Sequence, residues 1–133
     1  MPGLRVLVVD DEVDILDLLD IWLSDDPRCA AVKRADNLDE AVDIAKTWGP
    51  AVIVVDFFLG HRTAVEVLPE LRQSCPRARI IVHTASRRAA EAAGATAAGA
   101  DVVIEKNNYT IDDLIDRILD GVDEHSQEGH ETG

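Results

Sequence analysis

The chain has no long apolar run. Nowhere do about 18 apolar residues follow one another, so no membrane-spanning helix is expected. Its opening, MPGLRVLVV, lacks the charged stretch, long apolar segment and small-residue cleavage site of a secretory signal. Cysteine is scarce. Cys29 and Cys75 are the only two, with neither metal nor redox spacing, and both read as free thiols of a reducing, cytoplasmic compartment. Cations are short as well: 13 Lys and Arg stand against 26 Asp and Glu, for a net charge of −13. The last twelve residues, VDEHSQEGHETG, hold four of those acids and no Lys or Arg, yet the body that remains is still strongly acidic. Direct nucleic-acid binding is not expected, because phosphate contacts need clustered cations. A metal ion or a basic protein surface suits such a body better. Internal repeats and linkers are also missing.

What is present is a regular alternation. The 133 residues, 47% of them apolar, amount to one domain with a core of its own. Short apolar runs at 4–9, 30–35, 51–56, 79–84 and 101–105 predict five strands. Runs one, three and four are nearly continuous and β-branched, as in strands covered on both faces. The second carries Lys33 and Arg34 and belongs at a sheet edge. Helical patterns occupy 13–24, 38–48, 63–74, 86–98 and 111–121, with Asn37, Thr63, Ser86 and Thr110 placed as caps. WGP (48–50) and CPRAR (75–79) close the second and third. The alternation predicts an α/β fold with a five-stranded parallel sheet between two helical layers, a (βα)5 three-layer sandwich. The fold is placed at 1–121, and 122–133 reads as an acidic disordered tail. At about 100° per residue, Ile15, Leu18, Leu19 and Trp22 form the core-facing arc of the first helix. Val13 and Leu16 fall off that arc and suggest a patch for a partner, with cover by a neighbouring loop as the alternative. Trp22 and Trp48 are assigned to packing.

Functional groups of a parallel α/β sheet collect outside the carboxyl ends of its strands. Asp10 and Asp11 end the first strand, Asp56 the third and Thr84 the fourth, and Lys106 follows the fifth. Singly, each is ordinary: a strand-terminal Asp or Thr often caps a helix, and a Lys is usually surface. As a set on one rim they are not. Three carboxylates need compensation, and Lys106 supplies one positive charge. Hard oxygen ligands with room for water and phosphate suit Mg²⁺, whereas no His or Cys is placed for zinc. Asp10 and Asp11 then act as a metal-holding pair. Asp56, alone on the central strand, is the nucleophile toward phosphorus, with Thr84 and Lys106 at the phosphoryl oxygens.

VLVVDDE, VIVVDFFLG, IIVHTAS and AAGADVVIEK, at these intervals, resemble the receiver domain of two-component response regulators over roughly 4–121. The resemblance implies a flavodoxin-like sheet of order 2-1-3-4-5. It implies that Asp56 takes a phosphoryl group from phosphohistidine on a sensor histidine kinase or histidine phosphotransfer protein. It implies Mg²⁺ ligated by Asp11, Asp56 and the Phe58 backbone carbonyl, with Asp10 acting mostly through water. Lys106 and Thr84 would contact the phosphoryl oxygens, and movement of Thr84 would alter what a downstream protein reads. Such a domain turns over no separate substrate and is not otherwise an enzyme. Nothing after Gly121 has the pattern of an output domain, so the sequence reads as a stand-alone receiver, with a fragment of a longer regulator as the alternative.

Three positions depart from the family pattern. Val103 stands where an aromatic is usual, with Tyr109 on the wrong side of Lys106 to substitute; Asn107 stands where proline is usual; and Phe58 stands two residues past the acceptor. Phe58 is bulky and suggests a shield over an acyl phosphate. The departures keep open a phosphorylation-independent, receiver-like interaction module. An aspartyl phosphohydrolase would need a second Asp at position 58, and a flavin binder would need a less negative rim. His61 and Arg62, just past Asp56, are left between solvated charge and partner contact. In 86–100, Gly94 and the shortage of large side chains predict a loosely packed fourth helix.

Overall fold

Apolar continuity decides where the strands lie. In the computed structural model, which describes residues 3–85, 88–106 and 110–119, the central strands are sealed on both faces. These are β1 (Leu4–Val9), β3 (Val52–Asp56) and β6 (Arg79–Thr84). β2 (Cys29–Ala35) and β7 (Val102–Glu105) are the edges of a parallel sheet in the order β2-β1-β3-β6-β7. Counting only its five strands, this is the 2-1-3-4-5 order. The charged second run is an edge, as its Lys33 and Arg34 predicted.

Strand residues alternate between two cores. Leu7, Val9, Ile53, Val55, Ile80 and Val82 pack under α2 (Leu38–Trp48), α3 (Ala64–Ser74) and α4 (Ala89–Ala98). Val6, Val8, Val52, Val54, Ile81 and Ile104 pack under α1 (Val13–Ser24) and α5, residues 111–119. The period of two sends successive side chains to opposite layers. Each fully buried Leu or Ile contributes about 1.5–3 kcal/mol.

The caps follow the sequence in part. Asn37 accepts the Glu40 N–H at 2.8 Å, the Thr63 N–H donates to the Glu66 carboxylate at 2.7 Å, and Thr110 Oγ1 accepts the Asp113 N–H at 3.2 Å. α4 starts at Ala89, three residues later than predicted, and Ser86 lies outside the described residues. So do Asn107, Tyr109 and the tail at 122–133. Arg72 staples the end of α3 to the strand entries, donating to the Ala78 and Gly99 carbonyls and pairing with Asp101 at 2.7 Å. No helix among the described residues is long and apolar enough to cross a membrane.

The orientation of α1 corrects the sequence reading. Leu16, Leu19 and Leu23 face the core, while Leu18 is 42% and Trp22 39% exposed. The buried arc is turned by roughly 80° from the predicted one. Apolar residues cover most of this helix's circumference, so periodicity alone does not choose a face. Packing of Leu16, Leu19 and Leu23 against the strands sets it, and at the surface Arg34 on β2 pairs with Asp17 at 2.6 Å and Asp20 at 3.6 Å. Leu16 is therefore core, and a partner contact through it is ruled out. Trp22 is not a packing residue in the sense expected. Trp48 is partly buried against the α2–α3 core.

Candidate functional site

Sheet order brings the acids together. β1 and β3 are direct neighbours, with Val9 opposite Val55. Asp10 and Asp11, just past β1, therefore meet Asp56 at the end of β3. One carboxylate oxygen from each lies within 4.8 Å of the others. Asp10 and Asp56 are buried, and Asp11 is exposed. Lys106, just past β7, reaches across the rim. Its Nζ stands 3.4 Å from Asp10 Oδ2, 3.4 Å from Asp56 Oδ1 and 3.9 Å from Glu12 Oε1. Thr84, buried at the end of β6, completes the set. All five residues singled out in the sequence stand on this rim.

Backbone hydrogen bonds set these positions. The Asp10 N–H donates to the Ala35 carbonyl at 3.1 Å, and Asp10 Oδ1 accepts the Glu12 N–H at 2.9 Å. The Lys106 N–H donates to the Thr84 carbonyl at 2.7 Å, tying the ends of β6 and β7. Beyond Asp56 the chain folds into a short antiparallel hairpin, β4 (Phe58–Leu59) with β5 (Arg62–Thr63). Its turn uses Gly60 at φ 60°, a left-handed conformation that glycine adopts without strain. The Gly60 N–H donates to Asp11 Oδ2 at 3.2 Å, so the hairpin is tied to the acid cluster.

Charge shapes the titration. Burial, then the charge of Asp10, pushes the Asp56 carboxyl up to about 6, with Lys106 opposing. Burial pulls the Lys106 ammonium down, but the charges of Asp56 and Asp10 outweigh it and hold the group above its ordinary range. His83 pairs with Asp56 in the strand ladder and is itself buried. Burial, then the charge of Lys106, pushes it down to about 4, which leaves it neutral. Its Nδ1 has no partner among the described residues.

Three carboxylates face one ammonium. The cluster offers hard oxygens and contains neither His nor Cys, a donor set that fits a divalent cation such as Mg²⁺ or Ca²⁺ and not zinc. Phe58, two residues past Asp56, is 47% exposed, with its ring edge-on to Phe57 at 4.8 Å. Val103 is half-buried against the α2–α4 core. Val13 is exposed at the first turn of α1. His61 is exposed, and Arg62 stands 3.8 Å from Asp39.

Sequence reasoning missed the hairpin and the buried His83. The glycine in FFLGHRT was a usable turn signal, but strands of two residues leave no periodicity to read. His83 sits at an inward register of a buried strand, so its burial could have been inferred from the alternation.

The family model described as the response regulator receiver domain matches residues 6–119. Protein-glutamate methylesterase/protein-glutamine glutaminase 3 of Myxococcus xanthus is 30% identical over 109 residues, taking in 80% of this chain and 31% of its own length. The protein of the same description from a Nocardioides species is 32% identical over 108 residues, taking in 80% of this chain and 30% of its own. The chain thus spans less than a third of these curated relatives. Among solved structures, a Burkholderia pseudomallei response regulator with a phosphorylated aspartic acid, calcium ion and citrate aligns with a TM-score of 0.79 at 28% identity, over 96% of this chain and 73% of that one. The response regulator domain of Thermotoga maritima CheB aligns with a TM-score of 0.78 at 26% identity, over 92% and 95%.

Proposed function

Because the chain belongs to the response-regulator receiver family of two-component signalling, we propose that Asp56 accepts a phosphoryl group from a phosphohistidine. The donor would be a sensor histidine kinase or a histidine phosphotransfer protein. In the transfer a P–N bond breaks as a P–O bond forms to an Asp56 carboxylate oxygen, and the released imidazole takes a proton from solvent. Asp56 is held for this role by β3, with Lys106 Nζ at 3.4 Å to balance part of the charge. Asp11 and Asp56, with the Phe58 carbonyl and with Asp10 mostly through water, would hold Mg²⁺, which neutralises charge on the transferring group. Lys106 and the Thr84 hydroxyl would contact the phosphoryl oxygens. Phe58 would stand between the product and water.

The output is a changed protein–protein contact. Val103 excludes a rotating aromatic, so the signal would pass from Thr84 through its carbonyl bond to the Lys106 N–H, and so into β7. The reading covers a single receiver unit over 1–121.

The observation that carries this reading is the convergence of three carboxylates within 4.8 Å beside one lysine. Incubation with Mg²⁺ and acetyl phosphate, followed by intact mass, tests it. A gain of one phosphoryl group that vanishes in Asp56→Asn is expected. No gain, or a gain that survives the substitution, overturns it.

A further inference from the structure

At the opposite end of the sheet one cleft is lined, among charged residues, by cations alone. The turns entering β3 and β6 meet there beside Leu4, and between them lies a cleft of about 480 Å³. Pro50, Ala51 and Ala78 give it an apolar floor, Arg77 and Arg79 line it, and no carboxylate does. In a chain of net charge −13 that is unusual.

The two arginines also stand apart from the carboxylate-paired cations. Arg28, Arg34, Arg62, Arg72 and Lys106 each stand within 4.0 Å of a carboxylate. Among the described residues, Arg77 and Arg79 do not. The Arg79 Nε is buried and meets no acceptor among them. Asp101, whose Oδ2 accepts the Ile80 N–H at 2.8 Å, is already engaged by Arg72. Beside the cleft, Arg5 and Lys33 lie over the Trp48 ring at 5.7 and 5.3 Å, which adds to the positive field. Glu70 stands with Lys46 on a neighbouring surface, outside the lining.

We propose that this cleft binds an acidic, aliphatic peptide segment of a partner protein, independently of Asp56. Guanidinium forks match carboxylates two hydrogen bonds at a time, and neither Arg77 nor Arg79 is engaged by a carboxylate among the described residues. The apolar floor takes the intervening aliphatic side chains. An extended polyanion is a poorer fit. The acidic body repels it, and only groups within about 8 Å feel the cleft's own field at physiological salt. The five residues of β3 put the cleft roughly 15 Å from the acid cluster at about 3.3 Å per residue. The site would thus hold a partner while the rim switches.

The test is titration of the ¹⁵N-labelled full chain with the peptide Ac-Glu-Leu-Glu-Leu-Glu-amide, with its Lys-for-Glu counterpart and phosphatidylserine vesicles as separate arms. Saturable shifts at the amides of Ala51, Arg77 and Arg79 are expected with the acidic peptide alone. They should be unchanged in Asp56→Asn and weakened about tenfold in Arg77→Glu/Arg79→Glu. Arg77 is exposed on a turn, so Arg77→Glu alone keeps the fold and must weaken binding as well. Absence of saturable shifts, equal shifts with the lysine peptide, or binding that ignores both substitutions overturns the proposal. So does vesicle binding that depends on the arginines, or the same shifts appearing on concentration of the protein alone.

Discussion

The two ends of this sheet solve opposite electrostatic problems. At the carboxyl rim, Asp10 and Asp56 are buried with like charge beside them, and Lys106 answers only part of it. The cost appears in Asp56, whose carboxyl is pushed up to about 6. At the other end, Arg77 is exposed and pays little desolvation, so it can remain without a carboxylate. The rim holds like charge that a cation would offset, while the base tolerates solvent. A substitution at the rim should therefore disturb reactivity and titration together, and one at the base should disturb neither.

The largest expected contrast is in phosphoryl uptake. Asp56→Asn should abolish the gain from acetyl phosphate by intact mass, and Arg77→Glu should leave it whole. Equal loss in both would break the distinction between the ends. Next is Lys106→Ala, which removes the cation nearest both buried acids. Phosphorylation should slow by about 10²-fold, read as the initial rate of mass gain under saturating Mg²⁺. Third is the metal itself. Mg²⁺ must displace the proton that Asp56 holds up to about 6, so its affinity should rise about tenfold from pH 5 to pH 7. Calorimetric titration checks this, and a flat profile would remove Asp56 from the ligand set.

The smallest effect is on stability in metal-free protein. Folded Asp56 keeps its proton to about 6, against 3.8 in the unfolded chain, where burial and the charge of Asp10 are absent. The folded state then binds more protons over that window, and stability falls as pH rises through it. His83 acts in the other direction. Its folded value of about 4 lies below the ordinary 6.5, so stability falls as pH drops from 6.5 toward 4. The two slopes oppose one another in the parent protein. Asp56→Asn should remove the first and leave stability rising from pH 4 to 6.5 in chemical denaturation. A profile unchanged by the substitution would count against a buried, raised Asp56.

The strand order and the rim were legible because they depend on backbone pattern. β-branched runs fix the central strands, and strand ends fix where Asp10, Asp11, Asp56, Thr84 and Lys106 emerge. The face of α1 was not legible, because eight apolar residues in Val13–Ser24 leave several arcs equally plausible. The choice rests on how Leu16, Leu19 and Leu23 pack against the strands and α5, contacts between elements that no local period reveals. The hairpin after Asp56 escaped for a related reason: its strands are two residues long, and its anchor is a bond from Gly60 to Asp11. The basic cleft draws on Leu4, Ala51, Arg77 and Arg79, which are scattered through the sequence and meet only after folding.

Strict alternation along β3 has a combinatorial consequence for mutation. Val52 and Val54 face the α1–α5 layer, and Asp56 has the same parity. Removing one residue from this strand would turn the carboxylate into the opposite layer and swing Phe57 into its place at the rim. Reactivity here is thus encoded in a residue count as much as in a residue identity, and insertions or deletions between 52 and 56 should be more damaging than most single replacements among its valines.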